Sequence, residues 1–291
     1  MKLQIACYQN ENYQAIALQI QLKILKVALN KQIKVFKLND LAFTQQQVLN
    51  NHSRNVSILL FFQSVNSFIS GSLDKSLNIW TWDEIGQIYQ CNQIINNSVE
   101  QKFILINKQE NLIISGGKNQ ISFWMSQSSK WLLQQKLGFD KIQIFGLNFS
   151  LNQQLIATYT SNHKIVLIKK QNNKTQNYWF ISLQINVNDF TPSFCFISDF
   201  IILYQSIKDA SLRLIKINQD SDQIQYQTKI LINKVCDEQT TFPMQFNQQK
   251  KISNELNWFI SQFNFNNLRK LNFISQRNSF QKQQSFRLTE C

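Results

Sequence analysis

Similar short segments recur along this chain at a nearly constant interval, and this period limits what the chain can fold into. Each segment ends on an aromatic or large apolar residue. The end residues are Phe36, Trp80, Trp124, Ile168, Ile215 and Phe273, with intervals of 44, 44, 44, 47 and 58 residues. A period of this size is typical of repeat proteins, in which each supersecondary unit buries its apolar faces against its neighbours.

An Asn or Asp precedes each end residue at a nearly fixed distance. In five segments it lies six residues before the end, and in the third, shorter segment it lies five before; the residues are Asn30, Asp74, Asn119, Asn162, Asp209 and Asn267. Such side chains hydrogen-bond nearby backbone and favour tight turns. Alternating apolar residues follow, such as Leu77 and Ile79, so each segment is predicted to be a turn followed by a strand.

Three further strand-like segments accompany each turn segment. In the second unit they are VSILLFF (56–62), NSFISGS (66–72) and QIYQCNQI (87–94). One four-stranded meander cannot bury both faces, whereas radial stacking buries them and protects the sheet edges. The sequence therefore predicts an all-β fold, a β-propeller of about six, possibly seven, four-stranded antiparallel blades. We expect one domain over residues 1–273, followed by a closing strand or a disordered basic tail over 274–291.

The second unit, SGSLDKSLNIW (70–80) preceded by His52, resembles the WD-repeat β-propeller family. The resemblance implies a buried hydrogen-bonded tetrad of His52, Ser70 or Ser72, Asp74 and Trp80. The third unit keeps a Ser and the Trp but has Asn119 in place of the acid. Two family dipeptides are altered, since the family's Gly-His is Asn51–His52 here and Trp80 is followed by Thr81.

The residue types of this tetrad are also those of a hydrolase triad. A catalytic serine must lie exposed beside its base and near oxyanion donors, whereas the propeller interpretation buries these groups between strands. The structural interpretation is therefore favoured, and we expect no enzymatic activity. With two histidines and no Gly-rich phosphate loop, neither a metal nor a cofactor is predicted.

The formal charge of +13, from 30 basic and 17 acidic residues, favours acidic partners. The basic residues form scattered pairs and no long run, which makes a nucleic-acid stripe the less favoured interpretation. By resemblance to the family, we expect a non-catalytic scaffold that binds acidic protein segments. The alternative is an RNA-associated propeller, for example in ribosome assembly. The predicted partner-binding rim comprises Arg54, Leu73, Lys118, Ser161 and Lys208.

Five widely spaced cysteines without a CxxC pair indicate reduced thiols, and the N-terminus lacks the apolar core of a signal peptide. No apolar stretch approaches the roughly 18–20 residues of a membrane helix. We therefore expect an intracellular protein, cytoplasmic or nuclear, with no membrane insertion. The oligomeric state is not predicted.

Overall fold

The computed structural model describes residues 15–19, 24–39, 42–172, 177–187, 194–206, 212–218, 223–230, 244–245 and 259–260. These residues form five four-stranded antiparallel sheets and one two-stranded ladder. In the described ranges no helix is long and apolar enough to cross a membrane.

The strands follow one another in simple meander order. Blade 1 contains β1 (Ala15–Gln19), β2 (Ile24–Leu29), β3 (Gln32–Asn39) and β4 (Ala42–Leu49); blade 2 contains β5 (Val56–Phe61), β6 (Ser67–Ser72), β7 (Ser76–Asp83) and β8 (Ile88–Asn96); blade 3 contains β9 (Phe103–Ile106), β10 (Leu112–Gly117), β11 (Gln120–Gln127) and β12 (Lys130–Gly138); blade 4 contains β13 (Ile144–Phe149), β14 (Leu155–Thr160), β15 (Lys164–Asn172) and β16 (Asn177–Asn186); blade 5 contains β17 (Phe194–Ser198), β18 (Ile201–Gln205), β19 (Leu212–Ile217) and β20 (Ile224–Ile230); the ladder pairs β21 (Met244–Gln245) with β22 (Phe259–Ile260).

The first strands of successive blades contact one another, from β1 to β5, β9, β13 and β17, which places them along a common inner wall. The fourth strands lie outermost. This is a β-propeller, and the predicted all-β propeller fold is confirmed. Five blades lie within the described residues. The predicted sixth unit, around Asn267 and Phe273, and the tail 274–291 lie outside them, so the domain boundaries remain a prediction.

A recurring β-bulge marks the end residue of the sequence repeat. In blades 1 to 4 the register between the third and fourth strands shifts directly before the end residue of the sequence repeat. The shifts lie at Val35/Phe36, Ile79/Trp80, Phe123/Trp124 and Leu167/Ile168. A bulge adds one residue to one strand and increases the local twist. The same irregularity at the same place in blades 1 to 4 shows that the end residue of the sequence repeat occupies an equivalent structural position in each of them.

The core lies between the blades. In blade 2, Trp80 packs toward blade 1 with Ile24 and Ala28, whereas Leu77 and Ile79 pack toward blade 3 with Ile113. Two further buried clusters fill the interfaces between blades 3 and 4 and between blades 4 and 5. The period-two pattern thus supplies both faces of each sheet with apolar side chains, each contributing about 1.5–3 kcal/mol when fully buried.

A glutamine clamp joins the outermost strands of neighbouring blades. The side-chain amide of Gln93 donates to the carbonyl of Trp131 (2.9 Å) and accepts from its N–H (2.9 Å). Gln47 makes the same two contacts with Tyr89 at 2.8 Å each, and Gln135 makes them with Trp179 at 2.5 and 2.8 Å. Each amide therefore links two blades as a strand backbone would.

The two ends of the propeller differ in their turns. The upper face carries the turns between second and third strands and the loops that lead into each blade. The lower face carries the other turns, where an acceptor of one blade binds backbone N–H groups of the preceding turn. These bonds run from Ser64 to Glu110 (3.0 Å), from Lys108 to Gln153 (2.9 Å) and from Asn152 to Asp199 (2.6 Å).

Candidate functional site

Asp74 lies in the three-residue turn that joins β6 to β7. Its carboxylate accepts hydrogen bonds from the N–H of Ser76 (2.9 Å), the hydroxyl of Ser76 (2.6 Å) and the N–H of Ser53 (2.9 Å). The left-handed residue of this turn is Lys75, with φ 71°. Asp74 therefore holds the turn through its side chain and also ties it to the loop that enters blade 2.

His52 connects this turn to the interior of the blade. Its Nδ1 lies 2.9 Å from Asp74 Oδ2, and its Nε2 lies 2.8 Å from Ser70 Oγ. Trp80 Nε1 donates to the same Ser70 oxygen at 2.8 Å. His52 is 3% exposed and Ser70 is fully buried. Four of the residues singled out in the sequence thus meet in one network.

Ser72 stands apart from that chain of bonds. Its hydroxyl contacts the carbonyl oxygens of Arg54 (3.0 Å) and Asn55 (2.9 Å), and it accepts from the N–H of Asp74 (3.1 Å). The sequence left Ser70 and Ser72 as alternatives for the contact with His52. The structure places Ser70 there, whereas Ser72 fastens the loop at residues 54–55.

The electrostatics of the network keep His52 neutral and Asp74 ionised. Burial alone would raise the pKa of Asp74, but the hydrogen bonds from Ser76, Ser53 and His52 outweigh it and lower the pKa to about 2. Burial lowers the pKa of His52, although Asp74 partly opposes this. A neutral His52 that donates from Nδ1 to Asp74 and accepts at Nε2 from Ser70 satisfies every member.

The Asp–His–Ser order is that of a catalytic relay, but its surroundings are unsuited to catalysis. A nucleophile needs access to substrate, and Ser70 Oγ is enclosed between strands. The N–H of Trp80 also occupies a lone pair of that oxygen. The geometry therefore supports a structural crosslink between loop 50–55 and turn 73–75.

Blade 3 builds a similar network from amides. Trp124 Nε1 donates to Ser115 Oγ at 2.9 Å, as Trp80 does to Ser70. Asn97, in the loop entering blade 3, donates to Ser122 Oγ at 3.1 Å, and Gln120 also contacts that oxygen at 2.9 Å. Asn119 is exposed and contributes its carbonyl oxygen, which accepts from the N–H of Phe139 (2.8 Å).

The other predicted turn residues occupy different positions in their turns. Asn30 is itself left-handed, with φ 53°, and its carbonyl accepts from the N–H of Val56 at 2.7 Å. Asn162 Oδ1 accepts from Thr160 Oγ1 at 2.7 Å, and the left-handed residue there is His163, with φ 59°. Asp209 and Asn267 lie outside the described residues.

The upper rim of blades 2 and 3 is basic and firmly held. Arg54 Nη1 donates to the carbonyl of Leu73 (3.0 Å) and to Glu100 Oε1 (3.3 Å). Lys118 is exposed and left-handed, with φ 44°, and its carbonyl accepts from the N–H of Ile144 at 2.5 Å. Ser161 is exposed on the next turn, and Lys208 lies outside the described residues.

Gly117 allows the loop that enters blade 3 to pack closely on β10 at this rim. A Cβ atom at Gly117 would lie 1.7 Å from the carbonyl oxygen of Glu100, so the backbone of the loop packs directly on the glycine. Glu100 in turn reaches Arg54, and Lys118 follows Gly117. Sequence reasoning missed Lys75, Glu100 and Gly117 as parts of this rim.

A buried lysine was also missed. Lys26 in β2 is fully buried, and its Nζ lies 3.7 Å from the ring centroid of Phe61, 4.0 Å from that of Phe68 and 3.8 Å from that of Tyr89. No hydrogen-bond partner for Nζ occurs among the described residues. Burial lowers the pKa of this amine to about 6.

The described part of the chain offers few side chains suited to metal binding or to thiol chemistry. Nowhere in it do three His, Cys, Asp or Glu side chains come together in a way that could hold a metal ion. Cys91 and Cys195 are free thiols, and burial raises the pKa of Cys195 to about 12. A buried thiol with a raised pKa is a poor nucleophile.

Comparison with known proteins supports the fold at low sequence identity. No protein-family model and no curated protein matches the sequence. Among solved structures, a periplasmic gluconolactonase of Pseudomonas aeruginosa, PpgL, is similar with a TM-score of 0.61 and 11% identity, covering 74% of this chain and 68% of that chain. A structural-genomics target from Lactobacillus plantarum is similar with a TM-score of 0.61 and 10% identity, covering 78% and 72%.

These findings correct three expectations from the sequence. The WD-repeat assignment is wrong, because no family model matches and the similar structures are not from that family. The expected role of non-catalytic scaffold, with its RNA-associated alternative, is wrong, and so is the expectation of no enzymatic activity, since a similar propeller is a gluconolactonase. Four residues meeting in one buried network does not identify a family, because any tight turn can be crosslinked in this way.

Proposed function

We propose that the protein binds an acidic segment of a partner protein on the upper face of blades 2 and 3. The observation that carries the proposal is Arg54, whose side chain is 58% exposed although Leu73 and Glu100 hold it in place. A guanidinium that is fixed and accessible can bind a carboxylate through two parallel N–H donors. Because the guanidinium is preorganised by these contacts, less conformational entropy is lost when it binds.

Two lysines on adjacent turns support the proposal. Lys75 and Lys118 are exposed and left-handed, with φ 71° and 44°. Glycine or asparagine adopts this conformation more readily, and a lysine there costs about 1–2 kcal/mol of conformational strain. Strain of this kind often accompanies a functional position. Together with Arg54, these side chains form a cationic surface whose attraction weakens as salt screens it.

Titration with synthetic peptides tests this proposal. We expect a fluorescent Asp/Glu-rich peptide to bind the full chain, whereas its Asn/Gln counterpart does not. Arg54→Gln and Lys118→Gln should each weaken binding about tenfold, since close charge pairs across an interface can contribute about 1.5 kcal/mol or more and about 1.4 kcal/mol corresponds to tenfold. The matched control is Lys130→Gln, which removes an exposed charge from the lower face.

Two results of this peptide titration would contradict the proposal. If the acidic and neutral peptides bind equally, or if Arg54→Gln binds as tightly as Lys130→Gln, the upper face is not the binding site. Increasing salt should also weaken binding of the acidic peptide.

A second candidate function is hydrolysis of a sugar lactone. The name of the similar Pseudomonas propeller favours it. Lactone opening passes through an oxyanion, and the cationic upper face would stabilise that charge. We expect proton release from gluconolactone, followed by pH-stat titration, to exceed the spontaneous rate. Arg54→Gln should lower this rate, whereas Ser70→Ala should retain it if folded, because Ser70 is enclosed. A rate equal to the spontaneous one rejects this candidate.

A further inference from the structure

The turn between β7 and β8, on the lower face of blade 2, is held in one conformation by its own side chains. Asp83 Oδ1 accepts from the N–H of Ile85 at 3.0 Å, and Asp83 Oδ2 accepts from Gln90 Nε2 at 2.8 Å. Gln87 is left-handed, with φ 52°, and its side-chain amide donates to the carbonyl of Glu84 at 2.8 Å. These bonds fix the direction in which the tip of the turn points.

The tip of this turn presents an apolar side chain to solvent. Ile85 is 97% exposed, so nearly its whole side chain is accessible to a partner. Two more exposed apolar residues, Val65 at 52% and Ile88 at 40%, lie on the same face. The carbonyl of Asn66 accepts from the N–H of Trp82 at 3.1 Å, which brings the turn containing Val65 beside the turn containing Ile85.

The charge around these residues is acidic although the chain carries +13. Asp83 and Glu84 flank Ile85 in sequence. Glu110 of blade 3 binds the turn that carries Val65, accepting from the N–H of Ser64 at 3.0 Å. The lower face of blade 2 therefore combines exposed apolar side chains with carboxylates, in contrast to the basic upper face.

We propose that this Ile85 surface, comprising Val65, Asp83, Glu84, Ile85 and Ile88, binds a basic segment of a partner protein. The segment would place an apolar side chain against Ile85 and its Lys or Arg side chains near Asp83 and Glu84. An exposed apolar group with a polar rim is typical of protein interaction sites, and the acidic rim selects the charge of the partner. The surface lies opposite the upper face and does not depend on the function proposed there.

A panel of fluorescent synthetic peptides, each with Lys or Arg around one Leu, Phe or Trp, tests the inference with the full chain. Two counterparts accompany each peptide, one with Glu in place of the basic residues and one with Ser in place of the apolar residue. We expect the basic apolar peptides to bind at the Ile85 surface and their Ser counterparts not to bind, whereas any binding of a Glu counterpart belongs to the upper face and should be unchanged by Ile85→Ser. Ile85→Ser and Glu84→Lys should each weaken binding about tenfold, as for a central contact.

Matched controls separate the site from general changes in polarity or charge. Ile94→Ser alters another apolar residue, 53% exposed, on the outer strand, and Asp140→Lys makes the same charge change as Glu84→Lys on the upper face. Both should bind like the unaltered protein. If no basic apolar peptide binds, or if Ile85→Ser behaves like Ile94→Ser, the inference is wrong.

Sedimentation velocity tests whether the Ile85 surface instead binds a second copy of the chain. If the unaltered protein self-associates and Ile85→Ser is monomeric, the surface binds a second copy of the chain, and the proposed heterologous partner is rejected. Lys118→Gln belongs to the upper face and should leave peptide binding at the Ile85 surface unchanged, so failure of one proposal can be told from failure of the other.

Discussion

At the residue scale, Lys26 shows how strongly one position can depend on its neighbours. The amine is surrounded by three aromatic rings from blade 2 and has no hydrogen-bond partner among the described residues. The rings attract a cation, whereas removal from water disfavours it. Burial lowers the pKa of the amine to about 6, so desolvation prevails and the amine is largely neutral at neutral pH.

Replacing Lys26 by methionine should stabilise the protein. We expect Lys26→Met to raise the free energy of unfolding by about 1–4 kcal/mol at pH 7, because a well-packed apolar side chain carries no desolvation penalty. In the unfolded chain the amine is protonated below pH 10.5, whereas in the folded chain it is protonated only below about pH 6. The native protein therefore loses stability as pH falls from about 10.5 to about 6, and the variant does not.

Urea unfolding at pH 7 and at pH 10 measures this difference. The gain from Lys26→Met should be larger at pH 7 than at pH 10. Lys37→Met, at an exposed site on the neighbouring strand, is the control and should change stability little at either pH. An equal gain at both pH values would mean that the aromatic rings keep the amine charged.

At the scale of single elements, the turns of the upper face share a position but differ in construction. Blades 1 and 3 use two-residue turns, whose left-handed residues are Asn30 and Lys118. Blades 2 and 4 use three-residue turns, whose left-handed residues are Lys75 and His163. In both kinds the turn is secured to a neighbouring loop by backbone bonds, so the rim depends on close contact between loops.

A pair of glycines in blade 3 tests that dependence. Gly117→Ala should lower the free energy of unfolding by about 1–3 kcal/mol, because the added methyl group overlaps the carbonyl of Glu100 and the loop must shift. Gly138→Ala, in the same blade, meets no atom within 4 Å and should change stability by less than about 0.5 kcal/mol. Thermal unfolding followed by circular dichroism compares them, and equal effects would contradict the close contact.

At the scale of the whole molecule, neighbouring blades are joined in three ways. Apolar clusters fill the interfaces, acceptors such as Glu110 join turns on the lower face, and the glutamine clamps join the outermost strands. Among the described residues, each blade packs against the blades next to it in sequence, so stability depends on the interfaces as much as on the blades. The clamps run from blade 1 to blade 4, where Leu183 follows in the equivalent position and packs in the apolar cluster between blades 4 and 5.

Removing one glutamine clamp should therefore destabilise all of the described blades together. We expect Gln93→Leu to lower the free energy of unfolding by about 1–3 kcal/mol, because the N–H and carbonyl of Trp131 lose their partner. Circular dichroism and tryptophan fluorescence should shift together, since the blades unfold cooperatively. Gln45→Leu, at an exposed position of β4, is the control. Separate transitions for the two signals would contradict cooperative unfolding.

The sequence predicted part of the candidate network and missed much of the rim. His52, Asp74 and Trp80 were grouped through the resemblance of the second unit to WD-repeat propellers, and they do meet in one network although that family assignment is wrong. The choice between Ser70 and Ser72 could not be made, because both residues lie on the same strand and face the same side. Glu100 and Gly117 escaped notice because their contact is between the backbone of the loop entering blade 3 and the backbone of β10, and no side chain marks it in the sequence. The family and the role inferred from the motif were wrong.

That the chain builds stacked four-stranded units can be read from the sequence alone, since the apolar alternation and the turn residues recur at one period and are local properties. The roles of individual polar side chains depend on the tertiary structure, because packing between blades sets their surroundings. A lysine in a strand normally points to solvent, yet Lys26 is buried because aromatic side chains of blade 2 cover it. That burial follows from where the neighbouring blade lies, which no local pattern encodes.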